Sequence, residues 1–362
     1  MLKQSSRIAT AVSALAVLGG CPASAHSQSS QEARPFATEV RQQRAEILRQ
    51  RQFELARRLK EIDRRGVAPS TEALAPPSPE RESVAAELES WSKAQARFDA
   101  ESICGPLDDS VHVERYQGNL GPTKAFVDEH QSQAAQIQWH EDLRQRLGPG
   151  GDPGRVSGLR WCSGTLIANN IFLTAGHCFD IDSNGWRTPR RNDVALTPQE
   201  MAPLMKLNFG YQLPATGTSP RIATVYPIIR LVEHRLGALD YAIVEVGKGA
   251  DGEYPSKKFG LAKVDTSADA IVSATMLTII QHPLGDPKKI AAGRGLGADS
   301  QYVTYSDVDT QGGASGSGVI DHRGRVIAVH VLGGCTTNGG ANQGVRLDVI
   351  RQQSPFLQIL NN

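Results

Sequence analysis

The chain changes texture near residue 100. Upstream, apolar residues recur at helical spacing in strongly charged surroundings. Leu48, Leu55 and Ile62 fall seven residues apart, with Ala45 and Leu59 on adjoining positions. This pattern predicts one amphipathic helix over about residues 36–64, with Arg on its other faces. Gly66 ends it, and Pro69, Pro76, Pro77 and Pro79 mark a linker. A second helix is expected from about residue 81 to 100, with Val84, Leu88, Trp91 and Phe98 on its apolar side. Two such helices lack a core of their own. They form a hairpin, a partner-binding coil or a cap over the downstream domain, or else a solvated spacer. From Cys104 onward the apolar residues come in short runs, Leu166–Leu173, Ala242–Val246, Ile271–Ile280 and Val326–Leu332, separated by Gly, Pro, Asn and Asp. Helical signal returns only around residues 124–147 and 349–360, and Gly148–Gly158 reads as a surface loop. There is no internal repeat. Many short strands over such a length argue for barrels or a sandwich.

Composition narrows the function. The 362 residues suggest two domains, or one β-rich unit with an extension, and 40% apolar content suffices for an ordinary core. Lys and Arg number 39 against 38 Asp and Glu, a net charge of +1 that gives no support to nucleic-acid binding or to a polybasic membrane protein. The N-terminus favours export. Lys3 and Arg7 precede the apolar run Ile8–Leu18, and Ala23-Ser24-Ala25 supplies a small-x-small cleavage pattern, so residues 1–25 read as a signal peptide rather than a buried helix. Leu18-Gly19-Gly20-Cys21 also resembles a lipobox, in which Cys21 would carry lipid and attach the protein to a membrane. Either route leads to a secreted, periplasmic or lipid-anchored protein, where disulfides persist. Four cysteines then remain, enough for two bridges.

Three segments carry chemistry: Leu173-Thr174-Ala175-Gly176-His177-Cys178, then Leu239-Asp240-Tyr241, then Asp309-Thr310-Gln311-Gly312-Gly313-Ala314-Ser315-Gly316. A serine hydroxyl is a poor nucleophile at neutral pH. It needs a His to take its proton, an acid to orient the His, and backbone N–H donors aimed at the oxyanion. Each segment alone has a structural explanation; together, in the order His, Asp, Ser, they point to nucleophilic catalysis. An α/β-hydrolase requires Gly-x-Ser-x-Gly and the order Ser, Asp, His, and is excluded because Ser317 stands two residues after Ser315 and the order is reversed.

These segments resemble the chymotrypsin-like (trypsin-like) serine peptidases, and most closely the bacterial branch that includes the glutamyl endopeptidases. Trp161-Cys162-Ser163-Gly164-Thr165, Cys104-Gly105 followed by Asp108-Asp109, Gln281-His282-Pro283 and Val329-His330-Val331-Leu332-Gly333-Gly334 add to the likeness, which covers about residues 104–360. The resemblance implies an all-β fold of two packed antiparallel barrels, here preceded by the helical segment 26–103, with a peptidase domain over 104–362. It implies His177 as general base, Asp240 as its orienting partner and Ser315 as nucleophile. The N–H groups of Gly313 and Ser315 would form the oxyanion hole. Substrates would be proteins or peptides, with no cofactor. The competing reading is a catalytically silent binding module of the same fold, but none of the three triad positions is substituted.

Cys162 and Cys178 bracket the strand leading into His177, so a bridge between them would pin the loop carrying the base; Cys104 and Cys335 are left to pair with each other. No His-Glu-x-x-His or Cys-x-x-Cys occurs, so metal catalysis has no support. In the family's animal digestive members an Asp just before the nucleophile pairs with a freed N-terminal amine; here that residue is Ala314, which cannot. Substrate-side residues leave two readings. Asp309 falls where trypsin-like members bind Arg or Lys. Thr310 and His330 fall where glutamyl endopeptidases bind an acidic side chain, and Gly333 lies on the adjoining strand end. Two agreeing positions against one favour acidic preference. The N-terminal helices also leave two readings: a removable prosegment docked on the catalytic domain, or a permanent tether to a partner or anionic surface.

Overall fold

The structure is a computed structural model that describes residues 55–64, 78–85, 88, 103–181, 187–268, 274–336 and 339–360. The expected signal peptide, Cys21, Leu48, Trp91 and Phe98 lie outside the described residues. Among the described residues there are seventeen strands. In chain order the first ten are β1 (Val111–His112), β2 (Ala134–Trp139), β3 (Gly151–Asp152), β4 (Arg160–Ala168), β5 (Ile171–Thr174), β6 (Arg190–Arg191), β7 (Val194–Ala195), β8 (Met205–Phe209), β9 (Thr224–Arg235) and β10 (Tyr241–Val246). The remaining seven are β11 (Lys263–Val264), β12 (Met276–Gln281), β13 (Lys289–Ala298), β14 (Tyr302–Tyr305), β15 (Gly318–Ile320), β16 (Arg325–Leu332) and β17 (Asn342–Arg346).

Six of these, β2, β4, β5, β10, β9 and β8, pair antiparallel in that order and close into a barrel. A second antiparallel ring runs β12, β13, β14, β17, β16, β15 and closes through the β15–β12 pairing. β1 adds to the outside of β13, and β11 runs parallel beside β16. This is the two-barrel, chymotrypsin-like architecture that the sequence led us to expect. Closure leaves no open strand edge in either ring.

The barrels bury different interiors. The second holds Leu277, Ile279, Ala291, Val303, Tyr305, Val319 and Ile327. The first holds large rings, with Phe209 edge-on to Phe172 and Tyr226 at centroid distances of 6.1 and 5.5 Å. It also buries amides. Asn208 Nδ2 donates to Gln136 Oε1 and Gln138 Oε1 at 3.2 and 2.7 Å, and Gln136 Nε2 donates to the Gly285 carbonyl at 3.0 Å.

Those amides explain a departure from expectation. The stretch 124–147 is a helix (Lys124–His130), then β2, then a helix (Leu143–Leu147). All six residues of β2 are buried, so its Gln residues break the alternation that marks a strand. The run Leu166–Leu173 is likewise the hairpin β4–β5 rather than one strand. At the C-terminus the expected helix is two, Leu347–Gln353 and Pro355–Ile359. The Ser354 hydroxyl caps the second by accepting the Leu357 N–H at 3.0 Å.

Upstream, residues 55–64 and 79–85 are helical. Leu55 and Val84 are buried while Arg57, Arg58 and Lys60 are exposed, matching the apolar seam. Two ion pairs link the helices, Arg58–Glu80 at 3.1 Å and Arg81–Asp63 at 2.7 Å. Among the described residues no helix is long and apolar enough to cross a membrane.

Two disulfides fasten the chain. Cys162–Cys178 closes a short loop (sequence separation 16) across β4 and the turn after β5, and Cys104–Cys335 joins positions 231 apart. Replacing both Cys162 and Cys178 by Ala should lower unfolding stability by about 3 kcal/mol. Urea denaturation of the double variant measures this directly; an unchanged midpoint would show that the bridge adds nothing.

Candidate active site

Strand pairing brings the His and the acid together. Ala242 near the start of β10 lies opposite Thr174 at the end of β5. The turn after β5 carries His177, and the residue before β10 is Asp240. His177 Nδ1 lies 2.7 Å from Asp240 Oδ2, and the His177 backbone N–H donates to Asp240 Oδ1 at 2.7 Å. Both carboxylate oxygens therefore face one residue, fixing the imidazole's height and its rotation. Asp240 has φ +28°, a left-handed backbone unusual for a residue with a side chain. Its turn is held from the other barrel. Gln301 Nε2 and the Tyr302 hydroxyl both donate to the Ala238 carbonyl, the latter at 3.1 Å.

The loop bearing Ser315 is shaped by two glycines. Gly313 has φ +98° and Gly316 φ +88°. A side chain at Gly316 would also overlap Thr174 Oγ1 and the Ser163 carbonyl, so this loop presses directly on the first barrel. Ser163, buried in β4, provides the grip. Its N–H donates to the Ser315 carbonyl at 2.9 Å and its hydroxyl donates to the Gly313 carbonyl at 2.8 Å. The same hydroxyl accepts the His282 N–H at 2.9 Å. Within the loop, Ala314 N–H donates to the Gln311 carbonyl and Gly316 N–H to the His330 carbonyl. No acceptor among the described residues takes the N–H of Gly313 or of Ser315. The Cys162 and Cys178 sulfurs lie within 4.8 Å of a His177 ring nitrogen, and Cys178 Sγ is 4.0 Å from the Ser315 carbonyl oxygen. His177, Asp240 and the Ser315 loop thus converge on one place. The two sulfurs beside His177 are bonded to each other, so they offer no thiolate to a metal.

The substrate-side positions behave differently from one another. His330 is buried, with Nδ1 2.6 Å from the Tyr305 hydroxyl. Burial, and secondarily the neighbouring His177, push its pKa down to about 3, so the ring is neutral. Burial holds the Tyr305 hydroxyl protonated, well above its ordinary range, so the bond to His330 Nδ1 joins two neutral groups. Thr310 Oγ1 is buried and has no partner among the described residues. Gly333 is exposed at the end of β16 beside Leu332. Asp309 is turned toward the N-terminal side of the domain: Oδ1 accepts the Cys104 N–H at 2.7 Å and Oδ2 the Asp109 N–H at 2.8 Å.

Sequence reading assigned no role to Ser163, Asp109, Gln301 or Tyr302. For Ser163 a signal exists: it is a hydroxyl inside an otherwise buried strand, where a polar group must find partners. The other three act through contacts more than fifty residues away in sequence, which no local pattern records.

Asp109 is exposed as a residue, yet its carboxyl loses water and faces those of Asp309, Asp108 and Asp307, which together push its pKa up to about 7. Burial raises the neighbouring Asp309 carboxyl as well, and the two acids share a proton. Lys289 Nζ lies 3.6 Å from Asp108 Oδ2. The sign follows from linkage. The folded state holds this proton more tightly than the unfolded chain does, so the contribution is complete at low pH and is lost as pH rises through about 7. Asp109→Asn keeps a donor and removes the titration. Its melting temperature should pull above that of wild type as pH is raised from 4 and level off above about 7. A pH-independent gap in thermal melts would contradict the assignment of the proton.

Residues 162–329 match the family model described as trypsin-like peptidase domain. Uncharacterized protein y4fB of Sinorhizobium fredii is 26% identical over 189 residues, 48% of this chain and 25% of that protein, so the chain spans about a quarter of that relative's length. Among solved structures, a Glu endopeptidase in complex with MPD is 17% identical, with coverage of 69% of this chain and 96% of that one and a TM-score of 0.43. The serine endoprotease from Yersinia pestis is 11% identical, with coverage of 65% and 66% and a TM-score of 0.41. Over residues 162–329 the chain is therefore similar to the trypsin-like peptidase domain.

Proposed function

We propose that the protein is an exported serine endopeptidase that cleaves peptide bonds through an acyl-enzyme on Ser315. One observation carries the reading: the Asp240 carboxylate accepts both the side-chain and the backbone N–H of His177, beside a loop whose Gly313 and Ser315 N–H groups have no acceptor among the described residues. With its Nδ1 proton held by Asp240, the neutral imidazole has its lone pair on Nε2, where a general base needs it. Ser315 Oγ attacks the substrate carbonyl carbon and its proton passes to His177 Nε2. The oxyanion is received by the N–H groups of Gly313 and Ser315. When the C–N bond breaks, His177 returns the proton to the leaving amine. Water then repeats the sequence on the ester, releasing the acid and restoring Ser315.

The substrate is a protein or peptide, and we favour an acidic side chain on the acyl side of the scissile bond. Asp309 spends both oxygens on backbone N–H groups, while Thr310 offers a buried hydroxyl able to donate to a carboxylate. Two disulfides suit an extracytoplasmic location. Residues 26–103 are read as a segment preceding the catalytic domain at 104–362, and we favour a prosegment over a tether.

Ser315→Ala should lower casein hydrolysis by several orders of magnitude, about 10⁴-fold or more, without altering the melting curve. Full casein activity in the purified variant would refute the mechanism. On matched peptides, Glu before the scissile bond should outperform Arg, and Thr310→Val should narrow that margin through KM; a margin favouring Arg would reverse the specificity reading.

A further inference from the structure

The loop that presents Ser315 begins at Asp309, and the residues that grip Asp309 come from far upstream. Cys104 and Asp109 each donate a backbone N–H to its carboxylate, across sequence separations of 205 and 200. Gln311, two residues on, donates from Nε2 to Asp108 Oδ2 at 3.1 Å. The segment making these contacts is fixed in turn. Cys104 is bonded to Cys335, Ser110 N–H donates to Asp108 Oδ1, and β1 continues from it onto β13. Beneath Asp309, its own carbonyl accepts Gln281 Nε2 at 2.7 Å. From Gln311 the path to the oxyanion donors is short. The Gln311 carbonyl accepts the Ala314 N–H at 2.9 Å, closing the turn that places Gly313 and Ser315. Ala314, fully buried, has no charge with which to anchor that turn.

We propose that Asp309 is a positioning residue for the loop bearing Ser315, and that residues 103–109 are the strap that sets it, through two main-chain N–H groups on Asp309 and the Asp108 carboxylate on Gln311. This inference rests on the reading of Ser315 as nucleophile. The strap sets the loop without a freed α-amine, because both donors to Asp309 are internal peptide groups. The Cys104–Cys335 bridge keeps the strap attached wherever the chain upstream of Ile103 is cut. Asp309 therefore belongs to the shape of the oxyanion hole and not to the choice of substrate side chain. A carboxylate suits the task, since each oxygen accepts one N–H; an Asn keeps one acceptor and turns an NH2 donor against the other N–H, leaving it unsatisfied at a buried site.

The test is the rate at which a small fluorophosphonate labels the full-length protein, because that reagent presents no peptide side chain for a specificity residue to read. Wild-type labelling at Ser315 is the prior condition; its absence would defeat the proposed function and not this inference in particular. With labelling present, Asp309→Asn should slow it about 100-fold, the scale of a catalytic group misplaced by about an ångström. Asp309→Asn should also lower kcat for Glu and Arg peptides by the same factor, leaving their ratio and KM unchanged. A folded Asp309→Asn protein that labels at the wild-type rate, or that loses only Arg cleavage, overturns the proposal. Should Asp309→Asn not fold, Asp108→Ala decides: it frees Gln311 and leaves Asp309 in place. Labelling slowed at least about threefold with Arg/Glu selectivity preserved supports the strap, and an unchanged rate overturns it.

Discussion

A buried hydroxyl sits where the two barrels meet. Ser163 Oγ in β4 accepts the N–H of His282, just past the end of β12, and donates to the carbonyl of Gly313. Its backbone N–H holds the Ser315 carbonyl, and its carbonyl accepts Thr174 Oγ1 three residues before His177. One residue of the first barrel thus touches the loop of Ser315 and the strand that leads into His177. A displacement of β4 would move both at once. Gly316 enforces the closeness, because any side chain there would enter the space of Thr174 and Ser163. The Cys162–Cys178 bridge lies alongside, between the His177 ring and the Ser315 carbonyl.

Charge is handled by burial as much as by pairing. Desolvation keeps His330 and His282 neutral, each with its pKa near 3, and pulls the buried Lys288 down to about 7. Lys288 still donates to the Gln131 carbonyl at 2.7 Å, so the amine is not left without a partner. The His177–Asp240 pair is only partly buried, which lets substrate reach it while the carboxylate stays fixed by two hydrogen bonds. At Asp309 the same principle yields an anchor. A carboxylate removed from water accepts two N–H groups and shares the proton of Asp109.

Much of this was legible in the sequence, for physical reasons that differ by element. β10 reads as a strand because Tyr241–Val246 is a short apolar run opened by an acid. The segments around His177, Asp240 and Ser315 stand out because the chemistry we propose needs particular residues in a particular order. β2 escaped because Gln136 and Gln138 are buried in a network with Asn208, some seventy residues on, and local polarity hides a core strand. Asp309 was open to two readings because sequence gives its place in the loop but not the direction of its carboxylate. That direction is set by Cys104 and Asp109, two hundred residues upstream.

The central claim is a covalent bond to Ser315 Oγ during turnover. It is tested most directly by mixing the protein with an activated ester substrate, quenching in acid within the first turnover, and mapping the acyl group by peptide mass spectrometry. The account predicts a burst of leaving group close to one per molecule, with the acyl mass on the peptide containing Ser315. Turnover without a burst and without an acylated peptide, or an acyl group found on another residue, would contradict it.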